Sequence, residues 1–418
     1  MSIIRPFRGL RPRADLSARV ASPPYDVLSS EEARAMAEGN PVSFLHVIKP
    51  EIDLDPGIDH YDDKVYEKAA ANLRRFIDEG TLVQDPTPLL YLYKQRMGDH
   101  EQFGLLCCAS AAEYDADRIK KHELTRADKE ADRTRHVDDC DANAGPVFLT
   151  YHATDEIDAL AAAVASASPD VDFVADDDIA HTLWVIRDPA TIDQLTTAFA
   201  KLEALYVADG HHRSASAAAV ARRRAAANPS HTGDEEYNFF LAVLFPHNQL
   251  QILDYNRVVK DLANHTPDSL LAAIKRKFEV SEAPSAAEAK PTRVHDFAMH
   301  LDRRWYRLTA RPGTFPADDP VASLDVSILQ ENLLAPELGI GDPRKDQRID
   351  FVGGIRGLAE LERRCAGAGD QAWAVAFAFY PTSIEQLLSV ADAGKIMPPK
   401  STWFEPKLRS GLVVHLLS

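Results

Sequence analysis

Apolar positions along this chain follow two rhythms. Periods near 3.6 predict helices over 61–79, closed by Gly80, and over 191–203, where Ile192, Leu195, Phe199 and Leu202 share a face. Alanine-rich stretches at 152–168 and 215–227 also read as helices, as does 326–334. Ser29-Ser30-Glu31-Glu32 opens a short helix with acids in its first turn, where the helix dipole favours them. Short β-prone runs predict strands at 43–48 (alternating around Phe44 and Val47), 182–186, 205–208, 237–245, 250–255, 294–300, 304–310, 350–354 and 372–379. Segments 89–95 and 102–110 read as an antiparallel pair around the polar turn Gly98-Asp99. Prolines keep residues 1–30 extended and turn-rich, and 281–292, poor in bulky residues, reads as a loop or short surface helix. Helices and strands mix without strict alternation. The expected fold class is α+β (mixed α/β) with largely antiparallel sheets. Two domains are expected: 1–262, binding nucleotide or phosphate and carrying the catalysis, and 263–418, an α+β domain completing the pocket.

Composition narrows the partners. The 418 residues are 45% hydrophobic and 27% charged, as in ordinary folded domains. A formal charge of −17 disfavours non-specific DNA binding, whose affinity comes from Lys and Arg neutralising phosphates. A small-molecule substrate is expected, with no nucleic acid and no membrane, and a homodimer is left open. Cys107 and Cys108 sit in an apolar run that reads as a buried strand with reduced thiols, and the chain has no CxxC. With no apolar stretch of membrane-spanning or signal-peptide length, the expected location is cytoplasmic.

The segment Leu205-Tyr-Val-Ala-Asp-Gly-His-His-Arg213 carries the most chemistry. It reads as a strand, a turn freed by Gly210, and a helix capped by Ser214. Asp209, His211, His212 and Arg213 would then crowd the positive end of that helix. Three readings stay open: a polar surface turn, a metal site, and a phosphate or nucleotide site.

Three further clusters have a bland reading beside a functional one. The charged run 120–136 is a solvated helix, or else a phosphate-holding face of Lys129, Arg133 and His136 with Glu123 as base or magnesium ligand. Pro23-Pro24-Tyr25-Asp26 is a rigid turn, or a stiff loop presenting Asp26 to a site. Segment 400–407 is an irregular cover, or a pocket rim whose Lys400 and Lys407 neutralise an anion. Neither GxGxxG nor GxxxxGK[ST] occurs, so Rossmann and P-loop binding lack their signatures.

Together, Phe7-Arg8-Gly9-Leu10-Arg11-Pro12, Pro23-Pro24-Tyr25-Asp26-Val27, His122-Glu123 with Lys129 and Asp132-Arg133, Ala208-Asp209-Gly210-His211-His212-Arg213 and the proline-broken stretch from Met397 to Lys407 resemble the signature blocks of the family called domain of unknown function 1015. The strand–Asp-Gly-His-His-Arg–helix unit is similar to the phosphate-binding motif of the ParB and sulfiredoxin superfamily. That superfamily includes free L-serine kinases, which use ATP or ADP to make O-phosphoserine, and ParB proteins, which bind CTP. The resemblance implies a phosphotransferase passing phosphate from ATP or ADP, with Mg2+, to the hydroxyl of L-serine or a similar small metabolite. It implies Asp209 on the metal and Gly210, His211, His212, Arg213 and Ser214 around the phosphates. Lys129, Arg133 and Lys400 would line the anionic pocket, with Glu123 or Asp26 as base and His211 and His212 beside the reacting groups. Two alternatives accompany it: a nucleotide-binding ParB-like regulatory module without turnover, and a metal-dependent hydrolase using His122, His211 and His212.

Overall fold

The computed structural model describes residues 2–367 and 372–418, so Met1 of the extended 1–30 segment lies outside the described residues. The chain divides into two units, Met1–Leu250 with Pro406–Ser418, and Gln251–Glu405. Set beside the division at 262/263 read from the sequence, the first unit ends at Leu250 and regains the last stretch of the chain.

Among the described residues, the first unit carries a nine-stranded sheet. Its order is Ile119–Lys120, Leu205–Asp209, Val147–Tyr151, Phe239–Pro246, His100–Ser110, Leu90–Met97, Ala180–Ile186 and Val171–Val174, with Ile4–Arg5 added to His100–Ser110. Two pairings are parallel, Leu205–Asp209 with Ile119–Lys120 and Phe239–Pro246 with Val147–Tyr151; the rest are antiparallel. The hairpin expected around Gly98-Asp99 forms with Met97 opposite His100. Cys107 and Cys108 are fully buried free thiols on its second strand, and burial pushes both thiols far up, away from reactive thiolate.

Two large apolar clusters among the described residues hold this unit, beside a small one of Val137, Val220 and Leu417. One joins the sheet to helices Asp155–Ala165, Pro189–Ala200 and His211–Ala227 through Ile157, Leu195, Phe199, Ala218 and Ala221. The alanines of the last helix let it lie close to its neighbours, including helix Ala127–Cys140. The other gathers Leu10, Val20, Ala33, Phe44, Val47, Leu73 and Phe76 from the N-terminal segment and from helices Ser30–Ala37, Leu45–Ile48 and Asp63–Asp78. Ser29 and Glu32 close a reciprocal capping box at the start of Ser30–Ala37.

Some local expectations are corrected. The strand expected at 43–48 is the short helix Leu45–Ile48. Phe44, Leu45, Val47 and Ile48 are all buried, and that i, i+1, i+3, i+4 spacing is helical, whatever the alternation around Phe44 and Val47 suggests. The strand expected at 250–255 divides into Gln251–Leu253 and Tyr255–Val259. Residues 281–292 begin inside the strand Phe278–Ala283 before the short helix Ala286–Ala289. The helix expected at 326–334 is α-helical over Asp325–Leu329 and continues as a π-turn over Gln330–Leu334.

The second unit carries an antiparallel six-stranded sheet among its described residues. The order is Phe278–Ala283, Arg304–Ala310, Asp296–Leu301, Val375–Phe379, Tyr255–Val259 and Ile349–Gly353. Val258, Ala298, Val352, Leu361 and Ala376 form its core beside helix Gly357–Cys365. Both units are mixed α+β with largely antiparallel pairing.

Gly104, opposite Tyr93 in the central hairpin, marks a tightly packed point of the first sheet. A Cβ there would meet Val243 Cγ1 at 2.5 Å and Phe245 Cε1 at 2.7 Å, both on fully buried side chains. Gly104→Ala is expected to cost about 1–3 kcal/mol by overpacking. Urea unfolding checks this: the midpoint should fall at unchanged slope, and a loss below about 0.5 kcal/mol would refute the packing argument.

Candidate functional site

The turn after strand Leu205–Asp209 is made by a single residue. Val207 pairs with Leu149 and Asp209 with Phe148, so Ala208 is an extra residue that bulges the strand. Such a bulge re-aims the residue after it. Gly210 then adopts φ +94° and caps helix His211–Ala227. A Cβ at Gly210 would also crowd Arg213 Nε at 3.1 Å, but it is the left-handed backbone that favours glycine here.

This corrects the expected cap. Ser214 does not start the helix; it lies in the first turn, where its buried hydroxyl donates to the carbonyls of Gly210 and His211. His211, His212 and Arg213 are therefore helical rather than turn residues. Successive helical side chains diverge by about 100°, so the three reach different neighbours.

Arg213 turns toward carboxylates. Its side chain is 10% exposed, and Nη2 lies 3.8 Å from both Asp26 Oδ2 and Asp209 Oδ2. Nη1 donates to the Pro146 carbonyl, while buried Nε has no hydrogen-bond partner. Burial opposes the charge on Arg213, but Asp26 and Asp209 outweigh it and raise its pKa. Asp209 Oδ1 accepts from the Gly210 N–H at 2.9 Å, and Oδ2 accepts from Lys407 Nζ at 3.1 Å. Burial alone would raise the Asp209 pKa, yet Lys407 and Arg213 hold this carboxyl well below the usual range.

Beside Arg213 lies a small cavity of about 30 Å³ lined by Tyr25, Arg133, His136, Asn143 and Ser410 among others. Arg133 stacks on Tyr25 with its guanidinium 4.3 Å from the ring centroid. Asp132 accepts from Arg133 at 2.9 Å and from the Tyr66 hydroxyl at 2.8 Å. Asp26, Tyr25, Arg133, Asp209, Arg213 and Lys407 thus meet in one neighbourhood of the first unit.

The imidazoles lie elsewhere. His211 packs edge to face on His122, with ring centroids 4.5 Å apart. Both are buried, and burial pushes the His211 pKa down to about 4; burial, then His211, drives His122 well below its ordinary value. Near neutral pH both rings are therefore neutral, and His211 faces His122. His212 is also turned away: its Nε2 accepts the Arg126 backbone N–H at 3.1 Å. The hydrolase set of His122, His211 and His212 is likewise redrawn, because Glu123, not His212, joins His122 and His211.

Of the other candidates, Lys129 sits with Nζ 5.6 Å from the Tyr61 ring centroid. Lys400 belongs to the second unit, where Nζ lies 5.6 Å from the Tyr255 ring centroid. Sequence reasoning missed Asn143, Pro146 and Ser410. The first two follow helix Ala127–Cys140 with no distinctive residue types, and Ser410 reaches the cavity only because the chain's end returns to the first unit.

His136, on the cavity wall, donates Nε2–H to the Val47 carbonyl at 2.9 Å. Burial and then Arg133 push its pKa down to about 4, against Val47, Asp132 and Glu51. A histidine held neutral in the fold gives stability that is full above its ordinary pKa near 6.5 and is lost as pH falls toward 4. His136→Gln should therefore flatten the pH dependence of unfolding free energy between those limits by about one proton, or about 1.4 kcal/mol per pH unit. Urea unfolding at pH 6.5, 5.5 and 4.5 measures it, and parallel curves for the two proteins would refute it.

No curated protein matches the sequence. Among solved structures, a mutant free serine kinase in complex with ADP is similar at TM-score 0.35 and 11% identity, over 72% of this chain and 87% of that one. SbnI with a C-terminal truncation, from Staphylococcus aureus, gives 0.36 and 12%, over 72% and 82%. A conserved hypothetical protein from Pyrococcus furiosus gives 0.35 and 12%, over 73% and 93%. No helix among the described residues is long and apolar enough to cross a membrane. Residues 4–327 match the family model described as "Protein of unknown function (DUF1015)", and the chain belongs to that family.

Proposed function

We propose that the protein is a phosphotransferase that moves a phosphoryl group from ATP or ADP to the hydroxyl of L-serine or a similar small metabolite. One observation carries this reading: Arg213, nearly buried in the first turn of a 17-residue helix, holds Nη2 3.8 Å from each of two carboxylates and keeps an unpartnered Nε beside a small cavity whose lining includes Arg133, His136 and Asn143. A buried guanidinium with a spare donor at the positive end of a helix suits phosphate oxygens. Phosphoryl transfer asks the protein mainly to position phosphates and neutralise charge. The choice of acceptor follows the resemblance of the strand–Asp-Gly-His-His-Arg–helix unit to free L-serine kinases.

In this reading Arg213 and the helix N–H groups from His211 onward grip the phosphates, and Lys407 balances their charge. Arg133, stacked on Tyr25, lines the anionic pocket. Asp209 is an ionised carboxylate, and hard oxygen donors of this kind fit Mg2+ shared with phosphates. Bound there, Mg2+ would neutralise phosphate oxygens. Asp26 is the base. It stands 3.8 Å from Arg213 on a loop stiffened by Pro23 and Pro24, and it takes the proton of the acceptor hydroxyl as the new O–P bond forms and the nucleotide leaves. Glu123 belongs to the histidine cluster and is not needed for this step.

The test is purified protein with Mg2+, L-serine and ATP or ADP, assayed for O-phosphoserine. Arg213→Ala should weaken nucleotide binding about 30- to 1,000-fold by calorimetry, the effect of removing a buried charged partner. Asp26→Asn should lower kcat about 100- to 10,000-fold while nucleotide affinity holds. No product from either nucleotide, or unchanged binding by a folded Arg213→Ala, would overturn the proposal.

A further inference from the structure

His122, Glu123 and His211 form a second cluster that phosphate binding does not use. One ligand atom from each lies within 4.8 Å of the other two. His122 and His211 are 2% and 5% exposed. Neither ring nitrogen of His122 completes a hydrogen bond, nor does His211 Nε2. Leaving a buried polar group unpaired costs about 1–3 kcal/mol, so one nitrogen from each of two facing rings calls for a common partner.

We propose that His122, Glu123 and His211 bind one divalent transition-metal ion of the zinc class. Two neutral imidazoles and a carboxylate make a three-ligand set that leaves a fourth position open to water. Bonds of about 2.0–2.2 Å in tetrahedral geometry place ligand atoms roughly 3.3 Å apart, and side-chain rotations close the difference from 4.8 Å. Burial keeps both rings neutral, the form in which imidazole binds metal. The Val207 carbonyl lies beside His122, where it can receive the N–H of the nitrogen that does not ligate.

The chemistry of the donors selects the ion. Mg2+ and Ca2+ prefer shells of oxygen, whereas imidazole suits zinc, copper, iron and nickel. His122 and Glu123 precede helix Ala127–Cys140, and His211 opens helix His211–Ala227. The ion would therefore tie the first turn of one helix to the segment leading into the other. Two hydrogen bonds already run the same way, from the Arg126 N–H to His212 and from the Ser216 hydroxyl to the Glu130 carbonyl.

The experiment strips the full-length protein with chelator and titrates it with Zn2+ and with Co2+, without nucleotide or Mg2+. One equivalent of each should bind, and Co2+ should give the intense visible absorption of a low-coordinate nitrogen–oxygen site. Glu123→Gln and His211→Asn should each weaken Zn2+ by more than about 100-fold, beyond the 10–100-fold typical of outer-shell changes. Zn2+ should raise the Tm of the parent protein and leave that of the variants unmoved. Glu123 is only partly buried, so Glu123→Gln tests the site even if His211→Asn disturbs folding. Substoichiometric metal, a weak octahedral Co2+ spectrum, or parent-like Zn2+ affinity in folded Glu123→Gln would overturn the proposal. None of these readouts depends on phosphoryl transfer.

Discussion

The left-handed backbone at Gly210 sets the geometry of everything around it. A strand becomes a helix there within one residue, at φ +94°, with the Arg213 guanidinium pressed against the space a Cβ would fill. A longer turn would free His211, His212 and Arg213 to point together. The one-residue turn forces them into a helix instead, so they fan out by about 100° each. One goes to His122, one to the Arg126 backbone, and one to Asp26 and Asp209. Glycine at this position thus selects which chemistry each neighbour can have.

Burying charge is the second constraint. Desolvating a carboxylate and a guanidinium is costly, and their mutual attraction repays it only when geometry and further hydrogen bonds are good. Asp209 meets this condition through Gly210, Lys407 and Arg213. Arg213 does not meet it fully, because its Nε stays unpaired. A well-packed hydrophobic set would often be at least as stable. An incompletely satisfied charge cluster beside a cavity therefore argues for a ligand more than for stability.

The legible parts of the fold were those encoded locally. The hairpin around Gly98-Asp99, the helix Asp63–Asp78 ahead of Gly80 and the strand Leu205–Asp209 all follow from short-range periodicity and turn residues. The segment Leu45–Ile48 misled because a short, mainly apolar run fits a buried strand or a buried helix, and only packing on several sides decides between them. Residue types at the site were legible too, since acid, imidazole and guanidinium stood side by side. Their directions were not, because the helix start could not be located to within three residues. Lys407 contacts Asp209 from 198 residues further along the chain, and no local pattern reports such a contact.

The fan of side chains also separates two kinds of donor. Arg213 keeps its charge across the working pH range, and with Lys407 and the carboxylates of Asp26 and Asp209 it offers a hard, ionic environment suited to phosphate oxygens and the ions that accompany them. His122 and His211, buried and neutral, offer nitrogen lone pairs that suit a softer cation. Were the imidazoles turned into the cradle, burial would strip them of charge and leave them poor partners for an anion. Were the arginine turned into the histidine cluster, it would repel any cation there. Because adjacent positions on one helical turn face apart, the chain can hold both environments within a few residues, and an ion bound by one set does not compete for the donors of the other.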